Sequence, residues 1–435
     1  MIGAIASTTK IIQGNPFTAE VLDEALLYIT TMTGVQKQHE SKRVSAPVLC
    51  IIDPRPFPLR DQVLSELAAM RPFQILDQVV PNPTSSDIMD MTHTAQGEPP
   101  CAIVGIGGGS TLDSAKAVAM LLSNPGDLDD YLGPQAFRKP GPRTVPLILI
   151  PTTTGTGSEV TRFGVYTARS GRKYTLNSPV LQAEAALLFP ELVFSLPPAL
   201  VAATGYDALT HALETLWNRN ATAVSDRLAL EAATVLLNTL GPAYTAAVEG
   251  SPATPERVPN TGPAGIDPNR QSKKSSNHLF QNPLAQLLQA ATLAGIAFNL
   301  TGTAAIHALS FVLSEVWHVS HGVACAFFTE DVFDINMKDP VVRPKFVQLA
   351  QRVLMNNVDT PETLLEKLRD RLVSLKRLMG LPSTFKDLNI PIPEEGHIPS
   401  MLECFDKVQD DFKLKNNPIP LSVEQIRKLV QEKLK

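Results

Sequence analysis

Cysteine is scarce in this sequence. Cys50, Cys101, Cys325 and Cys404 are scattered over 435 residues, and no CxxC pair occurs. That pattern speaks for reduced, buried thiols in a cytoplasmic protein, with Cys50 and Cys101 inside strand-like apolar runs. A dominant basic run is missing too. The net charge is only −5, so nucleic acid is not an expected partner. The charges from Arg169 to Lys173 are short enough to read as a solvated turn. Long apolar runs are also lacking: Pro, Thr or a charge interrupts each before a membrane span's length. The first residues, "MIGAIASTTKIIQGNPF", show no basic start followed by an apolar stretch. No membrane partner and no secretory signal are expected.

What is present suits a globular enzyme. The chain is 44% apolar and 19% charged, and it is long enough for two or three domains. Its first half alternates strand-like and helix-like segments: "APVLCIID" (46–53), "FQILDQVV" (73–80), "CAIVGIGGG" (101–109) with "STLDSAKAVAMLLSN" after it, and "VPLILIPTTTGTG" (145–157). Such alternation predicts an α/β domain with a largely parallel sheet. "FGVYTA", "RKYTL" and "AALLF" suggest a short antiparallel extension before Pro190. Beyond "SLPP" (195–198) the apolar period turns helical, over 199–217, 222–248, about 281–316, 344–356 and 361–379. The expected division is an α/β domain over 1–196 and an all-α domain over 197–435. The Pro-, Ser-, Gly- and Asn-rich stretch 249–277 lacks periodicity and reads as a flexible surface insertion or a lid.

Three places carry chemistry. "GIGGGSTLDSAK" (105–116) follows a strand and opens a helix, where glycines admit a diphosphate and the helix N-terminus offers N–H groups. Ser110 and Thr111 would cap that helix or touch phosphate. The spacing is not GxGxxG, and a tight turn uses glycine for steric reasons alone. "PTTTGTGSEVT" (151–161) is a second loop of small hydroxylated residues after a strand. Two such loops fit a dinucleotide lying across strand ends. Asp53, closing an earlier strand, would bind an adenine ribose and repel a 2′-phosphate, favouring NAD over NADP; Arg55 weakens that preference, and a plain turn before Pro54 is the alternative.

The third place is a helix that reads as buried, "GYDALTHALETLW" (205–217), with Asp207 and His211 four residues apart on one face. A lone buried carboxylate is costly. His307, His318 and His321 lie in a second apolar stretch, whereas His39, His93, His278 and His397 fall in loop-like or surface segments. A satisfied core histidine is the ordinary reading of one such residue. A divalent metal would satisfy the carboxylate and three imidazoles together and act as a Lewis acid beside a nicotinamide.

"GGGSTLDSAK", "PTTTGTGSEVT", "SLPPALVAATGYDALTHALE" and "HVSHG", in this order, resemble the iron-containing, group III alcohol dehydrogenases. The likeness runs from about residue 45 to the last helices, apart from 249–277. It implies a dehydroquinate synthase-like α/β dinucleotide-binding domain, an all-α metal-binding domain, and an active site between them. It implies Fe(II) or Zn(II) on Asp207, His211, His307 and His321. Cofactor diphosphate, of NAD or alternatively NADP, would lie on Gly107, Gly108, Gly109 and Ser110. Further contacts are implied from Asp53, Asp113, Thr152, Thr153, Thr156, Ser158, Thr161 and Lys173.

Where many relatives carry a second histidine, this chain has Phe311. A proton relay would then run through His318, water or the cofactor ribose, which leaves Asp113 and His318 as the catalytic candidates. "KYTLNSP", "ETLWNRNATAVSD" and "AFNLTGTAAIHALS" are most similar to a subgroup acting on anionic substrates, the phosphonoacetaldehyde reductases and a keto-deoxy-octulosonate 8-oxidase. Arg162, Asn218 and Arg219 are candidates to meet such an anion, although Gly302 stands where that subgroup often has Lys. The expected substrate is a small alcohol or aldehyde, and the expected assembly a homodimer. A metal- and NAD-dependent lyase of the dehydroquinate synthase type and a non-catalytic nucleotide binder are the alternatives.

Overall fold

The computed structural model describes residues 9–14, 17–32, 46–55, 57, 59–70, 72–250, 281–392, 394 and 398–434. The expected insertion lies outside the described residues from residue 251 on, as do His39, His278 and His397. By packing, the chain divides into two compact units, Met1–Leu196 with Gly250–Gln289, and Pro197–Glu249 with Ala290–Lys435.

The first unit is built on a six-stranded, wholly parallel sheet. Its strands are β1 (Lys10–Gln13), β2 (Val48–Ile52), β3 (Phe73–Leu76), β4 (Ala102–Gly107), β5 (Leu147–Pro151) and β8 (Ala185–Leu188), in the order β1-β8-β5-β4-β2-β3. The helices are α1 (Ala19–Met32), α2 (Arg60–Met70), α3 (Ser85–Gly97) and α4 (Gly109–Leu121). Strand residues alternate between two cores. Leu49, Ile51, Ile103, Leu147 and Leu149 meet Ile88 and Met91 of α3 and Leu112 of α4. Val48, Cys50, Ile52, Val104 and Ile148 meet Leu22 of α1 and Val63 of α2. Both faces are covered, so β2, β4 and β5 read as unbroken apolar runs.

The antiparallel extension is smaller than the sequence suggests. Only β6 (Phe163–Thr167) and β7 (Lys173–Asn177) form it. "AALLF" supplies β8, which pairs in parallel with β5 and β1. A short apolar run cannot declare its partner; here the all-apolar Ala185–Leu188 suits a doubly covered position inside the main sheet.

The second unit is helical: α5 (Pro198–Trp217), α6 (Ala223–Val248), the part of α7 (Pro283–Thr301) from Ala290 on, α8 (Ala305–Val316), α9 (His321–Asn336), α10 (Arg343–Leu354), α11 (Pro361–Leu378), α12 (Ile398–Asp406), α13 (Phe412–Lys415) and α14 (Val423–Glu432). The single helix expected over 281–316 is two. The carbonyl of Gly302 accepts from Asn218 Nδ2 at 2.9 Å and that of Thr303 from Asn416 Nδ2 at 2.8 Å, so side chains end the first helix. Among the described residues, α7 alone is long and apolar enough to cross a membrane, and 72% of its most apolar stretch is buried inside the protein, as in a core helix.

Candidate functional site

The α5 helix is apolar except along one stripe. Asp207, His211 and Glu214, at spacings of four and three, share a face and are all buried. Helices α8 and α9 bring His307 and His321 to the same place. Ligand atoms of Asp207, His307, His321 and Cys325 all lie within 4.8 Å of one another. Asp207 Oδ1 stands 3.5 Å from His307 Nε2 and 3.6 Å from His321 Nε2. His211 Nε2 is slightly farther, 3.9 Å from the same oxygen, and its ring stacks between Phe298 and His307 at 4.2 and 4.6 Å.

Two polar atoms at this centre, Asp207 Oδ1 and His307 Nε2, are buried without a hydrogen-bond partner. Leaving such atoms unmade is expensive unless an ion completes them. Carboxylate and imidazole donors suit iron or zinc. The residues therefore fit a divalent metal. Burial pushes the Asp207 carboxyl up, but the charges of His211, His321 and His307 outweigh it and hold it below the usual carboxylate range. For His307, burial lowers the pKa, while Cys325, Glu214 and Asp207 raise it well above the ordinary imidazole value.

Sequence reading missed Glu214. Its carboxylate has no exposed surface. It accepts from the N–H groups of Ala304 (2.6 Å), Ile306 (2.6 Å) and His307 (3.3 Å), doing for the start of α8 what a capping side chain would do. Its Oε2 also lies 2.8 Å from His307 Nδ1, which turns Nε2 toward Asp207. The signal was the seven-residue spacing from Asp207, which returns to the same helix face. Cys325 was likewise read as a core thiol; its four-residue spacing from His321 puts both on one face of α9.

His318, the other catalytic candidate, is not brought into the cluster. It is exposed in a left-handed turn (φ 55°) before α9, whose first residue is His321, so the three-residue spacing of the two is not helical. Among the described residues, no hydrogen bond or ring contact joins it to Asp207, His307 or His321. Phe311 is buried, its ring edge-on to His321 at 5.9 Å, with the buried Lys413 Nζ 3.8 Å above it. Asn218 and Arg219 are engaged locally, Asn218 on Gly302 and Arg219 on the carbonyl of Pro418.

In the first unit, the ends of β2, β4 and β5 lie side by side, and the N–H of Asp53 continues the ladder to Ile106. Chain order reverses between β2 and β4, the place where open α/β sheets leave a crevice. After β4 come Gly107, Gly108 and Gly109, and Gly108 starts α4 with no side-chain cap. After β5 come Thr152, Thr153 and Thr156, and Thr152 N–H donates to Gly107 at 3.0 Å. A Cβ on Gly109 would come within 2.7 Å of Thr156 Cγ2, so the two loops sit too close for a side chain there. Ser110 Oγ accepts from Asn82 N–H, and Lys173 Nζ donates to Asn82 Oδ1 at 2.8 Å. Asn82, unread in the sequence, thus ties the start of α4 to β7. A glycine turn, uncapped N–H groups and a nearby lysine fit an anionic diphosphate.

Asp113, expected as a catalytic candidate, is engaged in a buried network. Its two oxygens accept from Ser158 Oγ (2.6 Å) and Val165 N–H (2.9 Å), and Lys116 Nζ lies 3.6 Å away. Lys116 has no exposed surface and donates to Ser158, Thr161 and the carbonyl of Phe163. Burial raises the Asp113 pKa and lowers that of Lys116, each opposed by the other's charge. Asp113, Ser158 and Thr161 anchor a buried lysine, and Thr111 is buried against Gly107. Asp53 is gripped by Arg55 through a fork of 2.8 and 3.1 Å.

Profiles of the iron-containing alcohol dehydrogenase family match residues 33–190, and of its C-terminal region residues 201–250 and 275–434. The chain belongs to this family. It is a metal-dependent oxidoreductase acting on CH–OH groups. Long-chain-alcohol dehydrogenase 1 of Geobacillus thermodenitrificans is 30% identical over 399 residues, 90% of this chain and 91% of the relative. Sulfoacetaldehyde reductase of Bilophila wadsworthia is 33% identical over 246 residues, 56% of this chain and 55% of the relative. The structure of sulfoacetaldehyde reductase from Bifidobacterium kashiwanohense in complex with NAD+ shares the fold, with TM-score 0.77, 23% identity and coverage of 100% and 99%.

Proposed function

We propose that this enzyme is a nicotinamide-linked aldehyde reductase and alcohol dehydrogenase whose substrate is a small anionic aldehyde or the corresponding alcohol. The observation that carries the reading is the convergence of Asp207, His307 and His321, with Asp207 Oδ1 and His307 Nε2 buried and without a hydrogen-bond partner. These three residues, with His211, would hold Fe(II) or Zn(II). When bound, the metal supplies a Lewis acid at the substrate oxygen and the nicotinamide carries the hydride.

The chain's own residues position those groups. Glu214 orients His307. The α/β domain over 1–196 would take the dinucleotide: Gly107, Gly108, Gly109 and Ser110 would receive the diphosphate, with Thr152, Thr153, Thr156 and Lys173 around it. Asp53 would meet the adenine ribose and favour NAD, while Arg55, which forks onto it, would temper that preference. The second unit, over 197–435, takes the metal. The sulfoacetaldehyde reductase relatives support an anionic aldehyde as substrate. A homodimer in the cytoplasm is the expected setting.

The test is a panel of aldehydes, sulfoacetaldehyde, phosphonoacetaldehyde and propanal among them, assayed with NADH and NADPH after loading with Fe(II) or Zn(II). Metal-dependent oxidation of NADH with an anionic aldehyde preferred over propanal is expected. Equal rates without metal would refute the reading. Asp53→Ala should shrink the preference for NADH over NADPH; an unchanged ratio would remove Asp53 from that role.

A further inference from the structure

We propose that Cys325 donates its sulfur as a further ligand to the metal ion that Asp207, His211, His307 and His321 would hold, making a mixed carboxylate, imidazole and thiolate site. The inference rests on the metal reading above and deepens it. Cys325 has no exposed surface, and its Sγ lies 3.8 Å from His321 Nε2. It belongs to the group of four whose ligand atoms all fall within 4.8 Å of one another. The two orphaned atoms of that group, Asp207 Oδ1 and His307 Nε2, belong to residues only 3% exposed. The four-residue step from His321 to Cys325 sets both on the same face of α9, so the helix that delivers the imidazole also delivers the thiol.

A thiol in such company need not be a donor, since a free cysteine also packs as a small apolar side chain. What separates the two is the neighbourhood. An apolar filler is surrounded by apolar groups, whereas this sulfur shares its space with a carboxylate and two imidazole nitrogens. On metal uptake the thiol releases its proton to solvent, and the thiolate and Asp207 together balance a divalent charge. A sulfur donor also shifts the preference of the site toward zinc, relative to a site of nitrogen and oxygen alone.

The test uses the full chain, stripped by a chelator and loaded with Co(II) without oxygen, followed by absorption and metal content. The wild type is expected to bind one cobalt with a near-ultraviolet sulfur-to-cobalt charge-transfer band. Cys325→Ser is expected to lose that band and to bind cobalt at least roughly 10-fold more weakly, since losing a direct donor costs no less than losing a group that supports one. Cys50→Ser should keep the band. Cobalt bound by the wild type without a sulfur band would overturn the proposal, as would a band that persists in Cys325→Ser. Cys325→Ala gives a second variant should the serine perturb folding, and the wild-type spectrum decides by itself. A wild type that takes up no more cobalt than His307→Ala would instead overturn the metal reading, and this proposal with it.

Discussion

At Glu214 a carboxylate without exposed surface accepts three backbone N–H groups and faces His307 Nδ1. It couples the start of α8 to the orientation of a ligand. Glu214→Gln keeps the size but loses the charge and places an NH2 group among donors. Metal affinity should fall by roughly 10–100-fold, with a stability loss of about 1.5–3 kcal/mol. Chelator competition and urea unfolding of the metal-free protein measure the two; unchanged metal affinity would show that Glu214 only caps α8. Lys116 poses the complementary case. Lys116→Met leaves Asp113 without its cation and should destabilise by about 3–5 kcal/mol, whereas the double variant with Asp113→Asn should recover part of that. Urea midpoints check this, and a double variant no better than the single would contradict the pairing.

At the scale of elements, helix spacing accounts for both what the sequence disclosed and what it hid. Asp207 and His211 are legible because four residues separate them in an apolar helix. Glu214 and Cys325 obey the same geometry, yet one resembles an ordinary helix carboxylate and the other a core thiol until α8 and α9 are brought to α5. His318 was a candidate only because it lies in the same stretch as His307 and His321; the chain turns at His318 (φ 55°), which nothing in the sequence marks. Gly322 shows how closely α9 meets α5, since a Cβ there would collide with the backbone carbonyl of Ala203. Gly322→Ala should therefore displace His321, weaken metal binding, and cost about 1–3 kcal/mol. Metal content and thermal unfolding of the purified variant test this; wild-type values for both would contradict the role of that contact.

For the molecule as a whole, alternating apolar runs and turns made the α/β and helical halves readable, because doubly covered strands must be apolar throughout. Pairing was less readable: Ala185–Leu188 carries no mark that it joins β5 and β1 rather than β6 and β7. Family membership adds the chemistry, and the buried cluster of Asp207, His307, His321 and Cys325 is the place proposed for it. The most direct test of that central claim is the metal content of His307→Ala, with NADH binding and turnover measured on the same sample. The account predicts a variant that loses metal and turnover while binding NADH nearly as the wild type does. A variant that keeps both metal and turnover would contradict it.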